Sequence, residues 1–259
     1  MIMITSERLR SRLKAGEHLL GLAHHFPSAA VLDAMCSGWD FVWIDAQHGQ
    51  HSYESVLNSI RVAQGLGLDT LLRVESRDPD VLGKYADTGT SMLMIPMVDT
   101  VADAQAAVRA VRYPPQGERS YASRRLIDLV GPDYHLKTQP FIVAQIETPE
   151  SVENVEAILG VDGIDAVFFS PDDLRLRAGI AYDVPHNEHP LLVEAMRRTA
   201  KAARSAGKFA GAPAATPALL KDVISLGYHF SIGGSDAGFV RVTARQRLEQ
   251  LRTISSHKY

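Results

Sequence analysis

The sequence predicts an α/β chain folded as a (β/α)8 barrel, the TIM barrel, in a single domain spanning residues 1–259. Three observations point to it. Short apolar runs rich in Val, Ile, Leu and Phe alternate with helix-patterned segments from end to end. Eight such β-then-α units occupy the chain, at about the 250 residues usual for this barrel. No G-x-G-x-x-G follows the first strand, which argues against the runner-up, an open doubly wound sheet.

Residues 7–15 read as a lead-in helix and 18–24 as the first strand. A helix over 28–37 is closed by Gly38. The second strand is 41–46, and its helix, 53–65, is followed by Gly67. The third strand is 70–74, with a helix over 79–87 stopped by Gly89. The fourth strand is 92–98, with a helix over 101–111. Tyr113-Pro-Pro-Gln-Gly then breaks the pattern, and a long polar segment runs from 118 to 138. The fifth strand is 141–147 with a helix over 151–159, and the sixth strand is 166–170. The next helix is 191–206 and the seventh strand 209–213. A helix over 217–225 is stopped by Gly227, the eighth strand is 230–233, and the last helix is 237–254. Leu248 and Leu251 give that helix an apolar stripe.

A formal charge of −3, with 46% hydrophobic and 22% charged residues, is an ordinary globular composition. It gives no reason to expect nucleic acid or an anionic membrane as partner. The single cysteine, Cys36, forms no internal disulfide and reads as a packed small residue. No apolar run has signal-peptide character or the ~18 residues of a membrane span. A cytoplasmic enzyme is the expectation.

The strand ends are unusually polar, and in this barrel functional groups gather at the C-terminal ends of the strands. The fifth strand ends Gln145-Ile-Glu147 and the sixth runs into Ser170-Pro-Asp172-Asp173. Carboxylates on neighbouring strand ends suit a shared Mg²⁺ or Mn²⁺; the alternative is a pair of caps for the following helices. The second strand ends Asp45-Ala-Gln-His48 and the third carries Arg73. His48 titrates near neutrality and suits proton transfer, with Asp45 three residues earlier to orient the imidazole or raise its pKa. Arg73 offers a fork for a carboxylate or an enolate. Alone, such a His or Arg is usually structural; their meeting at one face makes a site. His24 and His25 end the first strand near the same mouth and read as supporting or loop residues, with substrate contact as the alternative. His51 already leads into a helix.

The same segments carry a family resemblance. Trp43-Ile-Asp-Ala-Gln-His-Gly49, Leu72-Arg-Val74, Ile95-Pro-Met97, Ala110-Val-Arg-Tyr-Pro-Pro-Gln-Gly-Glu-Arg119, Gln145-Ile-Glu-Thr148 and Ser170-Pro-Asp-Asp-Leu174 resemble the 4-hydroxy-2-oxoheptane-1,7-dioate aldolase family. These are class II, metal-dependent pyruvate aldolases of the phosphoenolpyruvate/pyruvate barrel superfamily. The resemblance spans about residues 18–250 in matching order. It implies that Glu147 and Asp173 hold a divalent metal, Mg²⁺ first, with Mn²⁺ or Co²⁺ as alternatives. Gln145, Ser170, Asp172, Asp173 and Arg73 then bind the 2-oxo acid. Arg73 steadies the enolate, and His48 transfers the proton, positioned by Asp45. Asp87 matches an acid that a neighbouring subunit supplies, and the assembly implied is a homo-hexamer in which the last helix packs on a neighbour.

The chain departs from the family pattern at Gln47, where Glu is frequent, at Asp172, where Ala is frequent, and in the 119–125 loop, which is expected to meet the distal end of the substrate. The expected reaction is reversible addition of pyruvate or a related 2-oxo acid to an aldehyde. Two rivals are a citrate-lyase-β-like enzyme acting on a CoA thioester and a catalytically silent barrel that binds 2-oxo acids. A Schiff-base aldolase is not expected, because Lys14, Lys84, Lys137, Lys201, Lys208, Lys221 and Lys258 all fall away from C-terminal strand ends.

Overall fold

The computed structural model describes residues 6–255; Lys258 lies outside them. In chain order the elements are α1 (Glu7–Lys14), β1 (Leu19–His24), α2 (Ala29–Met35), β2 (Phe41–Asp45), α3 (Tyr53–Gly65), β3 (Asp69–Arg73), α4 (Pro79–Ala86), β4 (Met92–Ile95) and α5 (Val101–Val111). There follow α6 (Arg124–Val130), α7 (Tyr134–Lys137), β5 (Phe141–Ile146), α8 (Pro149–Glu153), α9 (Val155–Gly160), β6 (Ala166–Phe169) and α10 (Pro171–Arg177). The last are α11 (Pro190–Ser205), β7 (Phe209–Pro213), α12 (Pro217–Leu226), β8 (Phe230–Ser235) and α13 (Asp236–Ser255). The strands close into a parallel barrel in the order β1 to β8, with β8 pairing back on β1. The predicted fold class is therefore the observed one.

Strand alternation splits the core in two. Leu19, Phe41, Leu71, Met92, Phe141, Ala166, Phe209 and Phe230 pack together inside the barrel. Their neighbours Leu22, Val42, Leu72, Leu93, Ile142, Val167 and Ala210 pack outward, against the helices. Both faces of each strand are thus apolar, which is why the strands read as continuous hydrophobic runs. The inner rings need room, and two glycines make it. A Cβ on Gly21 would lie 2.3 Å from the Phe41 ring, and one on Gly211 would lie 2.1 Å from the Phe230 ring.

Helix α1 belongs to the N-terminal end of the barrel. Its buried Leu9 and Leu13 join the inner core. Its arginines reach acids at the starts of three strands: Arg8 to Asp69, Arg10 to Asp165 and Arg12 to Asp40. The charged lead-in segment is therefore a plug for the barrel floor.

Four departures from the expected elements have local causes. The polar 118–138 segment contains α6 and α7, because Leu126 and Tyr134 bury beside Tyr113 in a small core of their own. The Tyr134 hydroxyl accepts from Tyr113 Oη and from the N–H groups of Ala122 and Ser123, which fixes the loop. The helix after β5 is two short helices that meet at Asn154, whose amide donates to the Asp99 carbonyl. Strand β4 ends at Ile95, ahead of Pro96, which has no N–H to continue the ladder. An unforeseen helix, α10, starts directly after β6.

The 119–125 loop also departs from expectation. Arg119 is buried, donating to Asp87 and lying over the Tyr113 ring. Arg125 donates to the Thr88 carbonyl and to Gln64. Both contacts lie at the C-terminal end of α4, the end remote from the barrel mouth, so within one chain these two arginines are held away from the mouth.

Two substitutions test this packing by chemical denaturation. Leu9→Ala is expected to cost about 2–5 kcal/mol by emptying the floor plug. Gly211→Ala is expected to cost about 1–3 kcal/mol by crowding Phe230. Losses below about 0.5 kcal/mol in both would contradict the packing described.

Candidate active site

The inward alternation that fills the barrel continues past its apolar layers and brings polar side chains to the C-terminal mouth. On β2 the inward series is Phe41, Trp43, Asp45; on β3 it is Leu71, Arg73; on β5 it is Phe141, Val143, Gln145, and next Glu147. Asp45 and Arg73 are register partners on neighbouring strands. Arg73 Nε donates to Asp45 Oδ1 at 2.9 Å and Nη2 to Oδ2 at 2.7 Å, a two-bond fork between buried groups. Arg73 also lies 4.7 Å over the Trp43 ring. Burial pushes the Asp45 carboxyl up, but the Arg73 hydrogen bonds and charge outweigh it and hold the group below its ordinary range. Among the described residues Arg73 Nη1 donates no hydrogen bond.

Glu147 follows β5 directly and is 3% exposed. Its Oε1 accepts from the Met97 N–H at 2.6 Å and its Oε2 from Gln145 Nε2 at 2.8 Å. Met97 adopts a left-handed conformation, φ 56°, which is costly for a residue with a side chain. That strained turn holds its N–H toward Glu147, and nothing in the sequence announces it. Asp173 is in the first turn of α10, after the neighbouring strand β6, and accepts from Ser170 Oγ at 2.9 Å. Burial first, then the charge and hydrogen bond of Asp173, push the Glu147 carboxyl up to about 7, against the pull of the Met97 N–H and Arg73. The two carboxyl groups thus share one corner, and the charge of Asp173 bears on Glu147. Gln145 is 1% exposed, and its Oε1 is buried with no hydrogen-bond partner among the described residues. The capping alternative does not account for these acids: Thr148 caps α8 through a capping box with Ser151, and Ser170 is the N-cap of α10.

The other predicted residues fall differently. Asp45 does not reach the His48 imidazole. Its Oδ1 accepts the backbone N–H groups of Gln47 and His48, so it shapes the turn that carries His48 and leaves the ring alone. The His48 side chain is exposed and makes no hydrogen bond among the described residues. Asp172 turns away from the shared corner: it is half exposed, with His186 Nε2 at 2.8 Å and Arg175 Nε at 3.6 Å. Asp87 sits at the far end of α4, paired with Arg119, and the chain's own His48 is not among its partners.

Asp236, directly after β8, closes one of the polar strand ends that the sequence shows, and it is a hub whose role the sequence did not reveal. It is fully buried and accepts from His24 Nδ1, from the N–H groups of His25, Phe26 and Ala237, and from His25 Nδ1. Burial opposes its ionisation, but the two histidine bonds and the N–H groups hold its carboxyl far below the usual range. His24 is buried, with Nε2 on Ser59, and His51 bonds Ser55 and the His24 carbonyl; both are structural. His25, half-buried, continues the inward series of Leu19, Gly21 and Ala23, and that alternation was a signal available in the sequence. Cys36 is buried, its thiol pushed up to about 11 by burial and by Asp33, as a packed small residue would be.

The chain is similar to known proteins over most of its length. The chain is 32% identical over 238 residues to a 4-hydroxy-2-oxo-heptane-1,7-dioate aldolase of Shigella flexneri, covering 88% of this chain and 86% of that protein. It is 29% identical over 252 residues to a hydroxypyruvate/pyruvate aldolase of Roseovarius nubinhibens, covering 94% and 96%. The crystal structure of an HpcH/HpaI aldolase/citrate lyase family protein from Burkholderia cenocepacia superposes with a TM-score of 0.86 at 29% identity, over 95% of this chain and 99% of that one. The sequence model of that family matches residues 25–242. With its closed barrel and its carboxylates at adjoining strand ends, the chain belongs to the HpcH/HpaI aldolase/citrate lyase family.

Proposed function

We propose that this chain is a metal-dependent class II aldolase, adding pyruvate or a related 2-oxo acid such as hydroxypyruvate to an aldehyde and cleaving 4-hydroxy-2-oxo acids in reverse. The observation that carries the reading is the shared corner of Glu147 and Asp173, beside the orphaned oxygen of Gln145 and within reach of the charge of Arg73. A buried acid whose proton affinity is raised by burial and by a neighbouring carboxylate marks a site short of positive charge. Oxygen donors suit Mg²⁺, with Mn²⁺ and Co²⁺ as alternatives, and two carboxylates leave room for substrate and water oxygens. Glu147 and Asp173 would hold the ion, which when bound supplies Lewis-acid polarisation of the 2-oxo acid.

The rest of the chemistry falls to the chain. Asp45 locks two nitrogens of Arg73, and the free Nη1 is left for the substrate's carboxylate or the developing enolate oxygen. Gln145 and Ser170 position Glu147 and Asp173. His48 moves the proton that leaves C3, which ends on the new hydroxyl when the aldehyde adds. Its ring has no partner among the described residues, which leaves it open to Asp87 of a second copy. Asp87 is part-exposed, and α13 displays Phe239, Val240, Leu248, Leu251 and Ile254 to solvent. Both features support a homo-oligomer, which we read as a hexamer; light scattering that finds a monomer would remove Asp87 from the site. The loop arginines Arg119 and Arg125 are engaged elsewhere, which weighs against a long CoA arm in this chain. No described lysine stands at a strand's C-terminal end, which weighs against a Schiff base. No described helix is long and apolar enough to cross a membrane, in keeping with a cytoplasmic enzyme.

Chelation and C3 exchange test the reading. Treatment with EDTA is expected to reduce retro-aldol turnover at least ~100-fold, with recovery on adding Mg²⁺ or Mn²⁺. Pyruvate C3–H exchange into deuterium oxide, followed by NMR, is expected with metal and lost without it. Full turnover after chelation would overturn the mechanism, and binding of 2-oxo acids without exchange would favour the silent barrel.

Glu147 also sets a pH dependence. A carboxyl whose folded pKa is raised from 4.5 to about 7 stabilises the fold fully below 4.5 and loses that contribution as pH rises through about 7. Metal-free protein is therefore expected to melt several degrees lower at pH 8 than at pH 5.5, and Glu147→Gln is expected to flatten the slope. Added Mg²⁺ is expected to raise the melting temperature more at pH 8. A calorimetric slope identical in wild type and Glu147→Gln would contradict the shared corner.

A further inference from the structure

Across the mouth from Glu147, the end of β1 presents a group that the mechanism above leaves unused. In a closed eight-stranded barrel β1 lies opposite β5, so His25 faces the side away from the proposed cation corner. Its ring is anchored: Nδ1 lies 3.3 Å from Asp236 Oδ1, while the His25 backbone N–H bonds both oxygens of the same carboxylate. With Asp236 on Nδ1, Nε2 is the presented atom, and while the ring is neutral that Nε2 accepts. That Nε2 lies 3.7 Å from Asp45 Oδ2, too far for a hydrogen bond, and has no other partner among the described residues. The side chain is 29% exposed. Beside it, ring centres 6.4 Å apart, stands Trp43, whose Nε1–H is buried without a hydrogen-bond partner. An unmet acceptor and an unmet donor therefore lie side by side, on the far side of the mouth from the carboxylate corner. The buried indole N–H left in that state is costly, and a bound group that accepts from it while meeting the exposed Nε2 of His25 relieves that cost.

We propose, resting on the aldolase reading, that His25 and Trp43 form the subsite for the distal end of the acceptor aldehyde and select one that carries a hydroxyl. A hydroxyl donates to His25 Nε2 and accepts from Trp43 Nε1–H, and it is the smallest group that does both. A methyl in its place satisfies neither. A carboxylate would meet an acceptor nitrogen flanked by Asp45 and Asp236, so an acidic acceptor is disfavoured there.

The test compares glycolaldehyde with propanal, a pair in which hydroxyl replaces methyl, at saturating pyruvate and Mg²⁺. The quantity read is the ratio of their kcat/KM values, so intrinsic aldehyde reactivity cancels between variants. Wild type is expected to favour glycolaldehyde. His25→Ala and Trp43→Phe, which remove the acceptor and the donor separately, are each expected to lower the ratio about tenfold through a higher KM for glycolaldehyde. His25→Gln, which returns an acceptor at similar reach, is expected to restore part of it. Equal loss toward both aldehydes would mark these residues as scaffold only and overturn the proposal, as would an unchanged ratio. Wild type lacking turnover with any aldehyde would instead overturn the aldolase reading itself, and this subsite with it.

Discussion

Two carboxyl groups pressed into one half-dry corner are the constraint around which the mouth of this barrel is arranged. Glu147 is buried within the field of Asp173 and pays for it in proton affinity. A fold retains such a pair where something positive is meant to come between its members. The neighbouring structure is consistent with that. Met97 adopts a strained conformation to aim an N–H at Glu147, Gln145 donates one amide hydrogen to it while leaving an oxygen unsatisfied, and Ser170 steadies Asp173. Strain and unmet polarity concentrated in one place are what a bound group would relieve.

The remaining polar groups divide into fixed and free. Arg73 and Asp45 hold each other with two hydrogen bonds, and Asp236 gathers the N-terminal side of the mouth through His24 and His25. These pairs hold charges in fixed positions, which in the proposed mechanism would lower the reorganisation cost of the reaction. His48 is the exception. It stands exposed on a turn organised by Asp45, with its ring unengaged. The proposed mechanism gives that ring the proton to move, and its basic partner would then come from a second chain.

Much of this was legible in the chain itself. Continuous apolar runs revealed all eight strands because both faces of each are buried, one on the barrel interior and one on the helices. Acids and an arginine closing such runs marked Glu147, Asp173, Asp45 and Arg73, since charge at the end of a buried strand needs a reason. What stayed hidden depends on contacts far apart in sequence. The turn of Asp172 toward His186 is set by a loop fourteen residues on. The helices of the 118–138 segment are held by Tyr134 and its hydroxyl, and the segment's polar composition gives no hint of them. The role of Asp236 joins the two ends of the chain, and the left-handed Met97 has no glycine to mark it. His25 was within reach of simple alternation along β1, and its doubled histidine neighbour obscured it.

The central claim is that Glu147 and Asp173 converge on one divalent ion. Titration of the metal-free protein with Mn²⁺, followed by electron paramagnetic resonance, tests it most directly. The account predicts one tightly bound ion per chain, whose signal changes on adding pyruvate and whose binding is lost in both Glu147→Gln and Asp173→Asn. Retention of that ion at full affinity in either variant would contradict it.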